Sequence, residues 1–200
     1  MRLYILRHGT TDWNQNKRLQ GNSNTQLNEE GRELAKITAK ALEDIPFDHI
    51  FSSPLDRACE TARIVRGKRN VEIITDKRLI EVCFGIDEGV LPEKRSQGCH
   101  LFFDNPGEYV PAEGGERIEE LLARTADFID SVLVPLSLKE KNANVLISGH
   151  GAMNKALMAH LCNRNKAQFW DGAWMKNCSI SVFEIEGSNF KMLEDGKTFY

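Results

Sequence analysis

An α/β fold, a three-layer α/β/α sandwich around a mostly parallel sheet, is what this 200-residue sequence predicts. Three observations carry the prediction. Short β-branched runs alternate with amphipathic helical stretches along most of the chain. The length suits one domain of ~100–200 residues, so 1–200 reads as a single unit. Two strands end in comparable phrases, Leu6-Arg7-His8-Gly9 and Ser148-Gly149-His150-Gly151. That places both histidines beyond the carboxyl ends of parallel strands, where such sheets bind ligands.

The elements follow in order. Leu3–Leu6 is the first strand, and a polar loop rich in Asn, Gln and Gly runs from Thr10 to about Asn28. A helix over about Glu29–Glu43 carries Leu34, Ile37 and Ala41 on one face, and Pro46 closes it. His49–Ser52 is a short strand. Ser53-Pro54-Leu55-Asp56 is a helix-start signature, with serine as cap and proline at the first helical position, for a helix reaching about Arg66. Val71–Thr75 is the third strand. Between residues 82 and 115 the periodicity fails and Gly and Pro concentrate, so this is read as a substrate-covering excursion with one short helix. Phe102, Phe103 and Tyr109 there either pack or line a pocket. A regular helix from about Arg117 to Val134 repeats apolar residues at the 3.6 period and is expected to stop at Pro135. Asn144–Ser148 is a buried strand, Ala152–Cys162 a helix, and Ser179–Glu184 with Phe190–Leu193 a closing hairpin.

Composition excludes several classes. Lys plus Arg number 26 and Asp plus Glu 29, a net charge of −3, which argues against a nucleic-acid binder with a broad basic face. No apolar run approaches the ~18 residues of a membrane span. The opening apolar run, Leu3–Leu6, is too short for a secretory signal, so a cytoplasmic protein with no membrane partner is expected. The five cysteines are odd in number, scattered and without a CxxC pair, which fits reduced, packed thiols. His8, His49, His100, His150 and His160 lack compact metal spacing, and no GxxxxGK[ST], HExxH or GxSxG motif occurs. Gly149-x-Gly151-x-x-Asn154 only approaches a dinucleotide fingerprint, since the third glycine is missing. No metal and no cofactor are expected.

Four residues suggest chemistry together. Arg7 and His8 leave the first strand, Arg57 lies in the first turn of the helix after the second strand, and His150 opens another helix. Parallel strands lying side by side would bring all four together. Two guanidinium forks match a phosphate's oxygens, and the helix start at Gly151 adds N–H groups and a favourable dipole. A histidine in such a pocket is a nucleophile through its unprotonated nitrogen, and nearby cations lower its pKa. The leaving alcohol requires a proton, which a carboxylic acid beside the pocket would supply. Lys94 and Arg95 are solvated charges or face an anionic substrate.

Arg7-His8-Gly9-Thr10-Thr11, Trp13-Asn14 and Gln20-Gly21 resemble the opening signature of the histidine phosphatase superfamily, the phosphoglycerate mutase-like proteins. Ser52-Ser53-Pro54-Leu55-Asp56-Arg57 through Ala62, Leu79-Ile80-Glu81 with Phe84-Gly85 and Glu88-Gly89, Gly114-Gly115-Glu116, and Ser148–Gly151 resemble its later motifs, in order. The resemblance implies a phosphoglycerate mutase-like fold. It further implies that His8 is the phosphorylated nucleophile, that Arg7, Arg57 and His150 hold the phosphoryl group, and that Glu81 is the proton donor. Asn14, Gln20, Gly21 and Gly151 match or adjoin positions that contact substrate. Thr10 departs from the usual Glu or Gln, and Ile86-Asp87 stands where a Trp is common, which bears on substrate choice. The expected activity is a cofactor-independent, histidine acid phosphatase-type phosphomonoesterase acting on a small phosphorylated metabolite, with phosphate or its analogues as site ligands. The alternatives are a phosphoglycerate mutase, disfavoured by the short stretch before Gly114, and a non-catalytic phospho-ligand binding module. Sugar phosphates, phosphoglycerate, nucleotide-derived phosphates and α-ribazole phosphate stay open as substrates. Oligomeric state stays open too, a homodimer included.

Overall fold

The computed structural model describes residues 1–200. In chain order its main elements are β1 (Arg2–Arg7), α1 (Asp12–Gln15), α2 (Glu29–Ala41), β2 (His49–Ser52), α3 (Asp56–Arg66) and β3 (Ile73–Thr75). There follow α4 (Gln97–Asp104), α5 (Ile118–Phe128), α6 (Val134–Lys139), β4 (Asn144–Gly149), α7 (Gly151–Leu161), β5 (Ile180–Glu186) and β6 (Asn189–Lys197). One six-stranded sheet has the order β3-β2-β4-β1-β5-β6. The first four are mutually parallel, and the β5–β6 hairpin adds an antiparallel edge to β1. No helix is long and apolar enough to cross a membrane.

The central strands are apolar on both faces because both faces are covered. Strand alternation sends Leu3, Ile5, Val145, Ile147 and Phe183 to one side, where Ile118, Leu121 and Phe128 of α5 and Ala156 and Leu157 of α7 cover them. Tyr4, Leu6, Ile50, Leu146 and Val182 face the other side, against Ala62 and Val65 of α3 and Leu42 just after α2. Each such fully buried aliphatic side chain contributes about 1.5–3 kcal/mol.

Three local expectations change. The buried face of α2 is Gly31, Ala35 and Thr38, whereas Ile37 is exposed. Small residues win there because α2 lies against backbone. Ser53 does not cap α3: its Oγ accepts the Leu55 N–H at 3.3 Å, and the helix begins at Asp56. Pro135 does not end the helical run that begins with α5. Residues Ile129–Leu133 form a π-turn, in which the Val134 N–H donates to the Ile129 carbonyl, and α6 continues beyond. The widened turn accommodates a ring that lacks an N–H and would crowd the carbonyl four residues back.

The stretch from 82 to 115 is ordered by its own packing. Asp87 accepts from both the N–H (2.8 Å) and Oγ (2.6 Å) of Ser96, whose Oγ caps α4 by accepting the Cys99 N–H. Phe102 packs edge-on to Phe84 and Tyr109, with centroids 5.0 and 4.9 Å away. Phe84 and Gly115 close the excursion with an isolated bridge.

Helix α2 matters because it pins the loop leaving β1. A Cβ on Gly9 would lie 2.4 Å from the Gly31 carbonyl oxygen, and one on Gly31 would lie 2.1 Å from that of Thr10. Alanine normally gains about 1 kcal/mol over glycine inside a helix. Overpacking against fixed backbone costs about 1–3 kcal/mol, and the Thr10 carbonyl also accepts the Asn28 N–H at 3.1 Å. Gly31→Ala is therefore expected to destabilise by about 1–2 kcal/mol in urea unfolding, and a more stable variant would contradict this packing.

Candidate active site

The strand order does the first work of assembly. β1 and β4 are neighbours with Arg7 opposite Gly149, and the His8 N–H donates to the Gly149 carbonyl at 2.9 Å. His8 and His150 thus leave adjacent strand ends, and their rings meet edge-on at 5.2 Å. On the other side of β4, β2 leads into α3 and puts Arg57 in that helix's first turn.

The state of His8 follows from its partners. Its Nδ1 lies 2.7 Å from the Gly9 carbonyl oxygen, which can only accept. Nδ1 therefore carries the hydrogen and Nε2 a lone pair. The Arg57 Nε–H donates to that Nε2 at 3.3 Å. Burial holds His8 well below the usual histidine range, and the charges of Arg57 and then Arg7 push the same way. His150 is lowered well below that range too, by burial first and then by Arg57. It is fully buried, and neither ring nitrogen has a protein partner.

Backbone carbonyls, not carboxylates, hold the two arginines. Arg57 donates from its Nη atoms to Ser23 and Gly21, both at 2.7 Å, and burial lowers its pKa to about 10. Arg7 donates to the Met175 carbonyl at 2.6 Å, while its Nε is buried without a partner. Burial lowers Arg7 as well. Both remain cations at neutral pH, so their charge is available to a ligand.

Of Glu81, Asp87 and Glu88, only Glu81 lines a cavity together with Arg7, His8 and Arg57. Its Oε1 accepts the N–H groups of Val82 (3.0 Å) and Met153 (2.8 Å), and Oε2 that of Ala152 (3.1 Å), at the positive end of α7. Asp87 is committed to Ser96, and Glu88 accepts from the backbone of Asn22, Ser23 and Phe84. A Cβ on Gly151 would sit 3.7 Å from Glu81 Oε2 and 3.8 Å from Arg7 Nε. Gly151 therefore lies between the Glu81 carboxyl and the Arg7 guanidinium.

Asn14 and Gln20 are oriented by their oxygens. Asn14 Oδ1 receives the Thr11 N–H and Asn177 Nδ2, each at 3.2 Å. Gln20 Oε1 receives the Thr11 and Thr25 hydroxyls at 2.9 and 2.6 Å. Both amides line the cavity. Gly21 has a different part. At φ +53° it adopts a left-handed turn, a Cβ there would meet Glu88 Oε1 at 2.2 Å, and its carbonyl anchors Arg57.

The structure thus gathers Arg7, His8, Asn14, Gln20, Gly21, Arg57, Glu81 and Gly151 around one cavity of about 470 Å³, with His150 against His8 beneath it. Sequence reasoning missed the segment between α7 and β5. Asn177 donates to the carbonyls of His8 (3.0 Å) and Gly9 (3.2 Å), and Trp170, Trp174 and Met175 wall the cavity. No local motif marks these residues. Phe103 lines the cavity as well, whereas Tyr109 belongs to the core. The five cysteines are free, and burial raises Cys99 to about 11 and Cys178 to about 12.

The two histidines make stability depend on pH. A pKa lower in the folded than in the unfolded state means that the unfolded chain binds more protons in acid. Their contribution is complete above about pH 7 and is lost as pH falls below ~6.5, at up to ~1.4 kcal/mol per histidine per pH unit. In phosphate-free buffer, urea unfolding should show a stability about 2 kcal/mol lower at about pH 5.5 than at about pH 7.5. His150→Asn should roughly halve that loss, whereas an unchanged slope would show that folding does not lower the His150 pKa.

The chain matches the model of the histidine phosphatase superfamily (branch 1) over residues 3–196. It is 29% identical to phosphoserine phosphatase 1 of Hydrogenobacter thermophilus, over 93% of this chain and 87% of that one. It is 30% identical to a probable phosphoglycerate mutase GpmB of Proteus mirabilis, over 94% and 86%. A mycobacterial glucosyl-3-phosphoglycerate phosphatase solved with VO3 superposes with a TM-score of 0.87 at 28% identity, covering 96% and 97% of the two chains. The chain belongs to the histidine phosphatase superfamily, branch 1.

Proposed function

We propose that this protein is a cofactor-independent phosphomonoester hydrolase that works through a phosphohistidine on His8. The observation that carries the reading is the unprotonated Nε2 of His8, set beside Arg57 and facing a cavity shared with Arg7 and Glu81. The phosphoryl oxygens bind to Arg7, Arg57 and the Nδ2 group of Asn14, with His150 donating from beneath the His8 ring. His8 Nε2 attacks phosphorus in line as the ester P–O bond breaks. Glu81, carrying a proton on the oxygen beside Gly151, gives it to the leaving oxygen. The resulting carboxylate then takes a proton from water. That water attacks phosphorus, the P–N bond breaks, and phosphate leaves with His8 restored.

Gln20 and the backbone at Gly21 and Gly151 border the ester's organic group. Residues 1–200 act in this reading as one domain, with the 82–115 stretch covering a small phosphorylated metabolite. Unpaired cysteines accord with a cytoplasmic setting. Phosphatases among the relatives support hydrolysis.

The GpmB relative keeps a second reading in view, phosphoryl transfer between hydroxyls of phosphoglycerate. A mutase must return the phosphoryl group to an alcohol before water takes it, whereas a phosphatase admits water. Incubation with 3-phosphoglycerate and a bisphosphate primer, following free phosphate against the 2-isomer, separates the two. Phosphate release is expected to outrun isomerisation, and faster isomerisation would establish the mutase.

A further inference from the structure

The cavity is larger and more cationic than a phosphoryl group requires. Beyond Glu81, Phe84, Phe103, Trp170 and Trp174 form a run of stacked rings. Successive centroids are 6.2, 5.6 and 5.6 Å apart, at interplanar angles of 24°, 21° and 30°. All four rings line the cavity. The Trp170 Nε1–H donates to the Phe102 carbonyl at 2.7 Å, which fixes that ring, and Trp174 at the end is 62% exposed. A run of near-parallel rings, held at Trp170 and ending in a largely exposed tryptophan, suits another planar ring.

The charge count points further. A phosphomonoester dianion is matched by Arg7 and Arg57. Lys17, Arg18 and Arg95 also line the cavity, and no carboxylate lies within ion-pair distance of any of them. Arg95 is the best placed of the three. Its guanidinium carbon lies 5.9 Å over the Phe103 ring, an Nη donates to the Lys17 carbonyl at 2.8 Å, and its Nε is buried without a partner. A cation that is half-buried, stacked and unpaired in a cavity is matched by a ligand anion.

We infer that the substrate's organic group is a planar aromatic ring bearing a second anionic substituent, a carboxylate or a further phosphate. The ring stacks on the Trp170–Trp174 wall and the anion meets Arg95. The inference rests on the phosphatase reading of this cavity and supplies its substrate class.

Non-hydrolysable phosphonates test it without turnover. Calorimetric titration with methylphosphonate, benzylphosphonate and 4-carboxybenzylphosphonate should show two successive gains in affinity, each roughly tenfold. Trp174→Ala should collapse the first ratio and Arg95→Ala the second, to below about threefold. Dissociation constants within about twofold across the three ligands in the unaltered protein would overturn the inference. So would an equal loss of affinity for all three in both variants. Hydrolysis of phenyl phosphate, measured alongside, judges the underlying reading separately. Turnover with a flat affinity series removes the substrate class alone. An intact series without turnover removes the phosphatase and leaves the ligand class supported.

Discussion

The hydrogen bond from His8 Nδ1 to the Gly9 carbonyl decides which ring nitrogen keeps a lone pair, and much of the surrounding structure serves to hold that carbonyl. The peptide is gripped from several sides. The Gly9 N–H donates to Thr61 Oγ1 at 3.0 Å, and Asn177 donates to the carbonyls on both sides of it. Gly31 presses its backbone against Gly9 and Thr10, at a spacing that only glycines allow. β1 is fixed in turn by parallel pairing with β4, which delivers His150 to the same place. A core contact on α2, a motif residue on α3 and a loop residue before β5 thus converge on the tautomer of one imidazole.

The second constraint is electrostatic. A body with net charge −3 encloses two arginines beside two histidines. Carboxylate partners would cancel the arginine charges, whereas carbonyls orient them and leave the charge uncancelled. Glu88 shows how this is arranged. It takes the backbone N–H groups of Asn22 and Ser23, so the turn presents the Gly21 and Ser23 carbonyls to Arg57. Burial lowers Arg57 to about 10, so the guanidinium stays charged at neutral pH. The cost of collecting these cations recurs in the histidines, which burial and the arginines together keep neutral.

Much of this was legible because it is local. Strand-end phrases placed Arg7, His8 and His150, and the helix after β2 placed Arg57. Burial on both faces showed in the apolar runs of β1 and β4. What escaped reading depends on tertiary contact. Asn177, Trp170 and Trp174 sit in an irregular stretch, and only the folded chain sets them opposite residues from the amino terminus. The α2 face departs from the periodic pattern because close backbone approach selects Gly31, Ala35 and Thr38 over the larger apolar residues. Pro135 misled for a similar reason: a π-turn absorbs it, and nothing local in the sequence announces the extra residue. Motif position singles out Glu81 from the nearby Asp87 and Glu88, whereas the different hydrogen-bond partners of the three acids show only in the folded chain.

The most direct test of the account asks whether His8 is phosphorylated during turnover, and on which ring nitrogen. Turnover of a phosphomonoester, quenched in alkali within the first cycle and digested for NMR of the His8 peptide, reads the position of the P–N bond. The 2.7 Å bond from Nδ1 to Gly9 predicts phosphorylation at Nε2, with Nδ1 carrying hydrogen. A phosphoryl group on Nδ1 or on another residue, or turnover that survives His8→Ala, would contradict it.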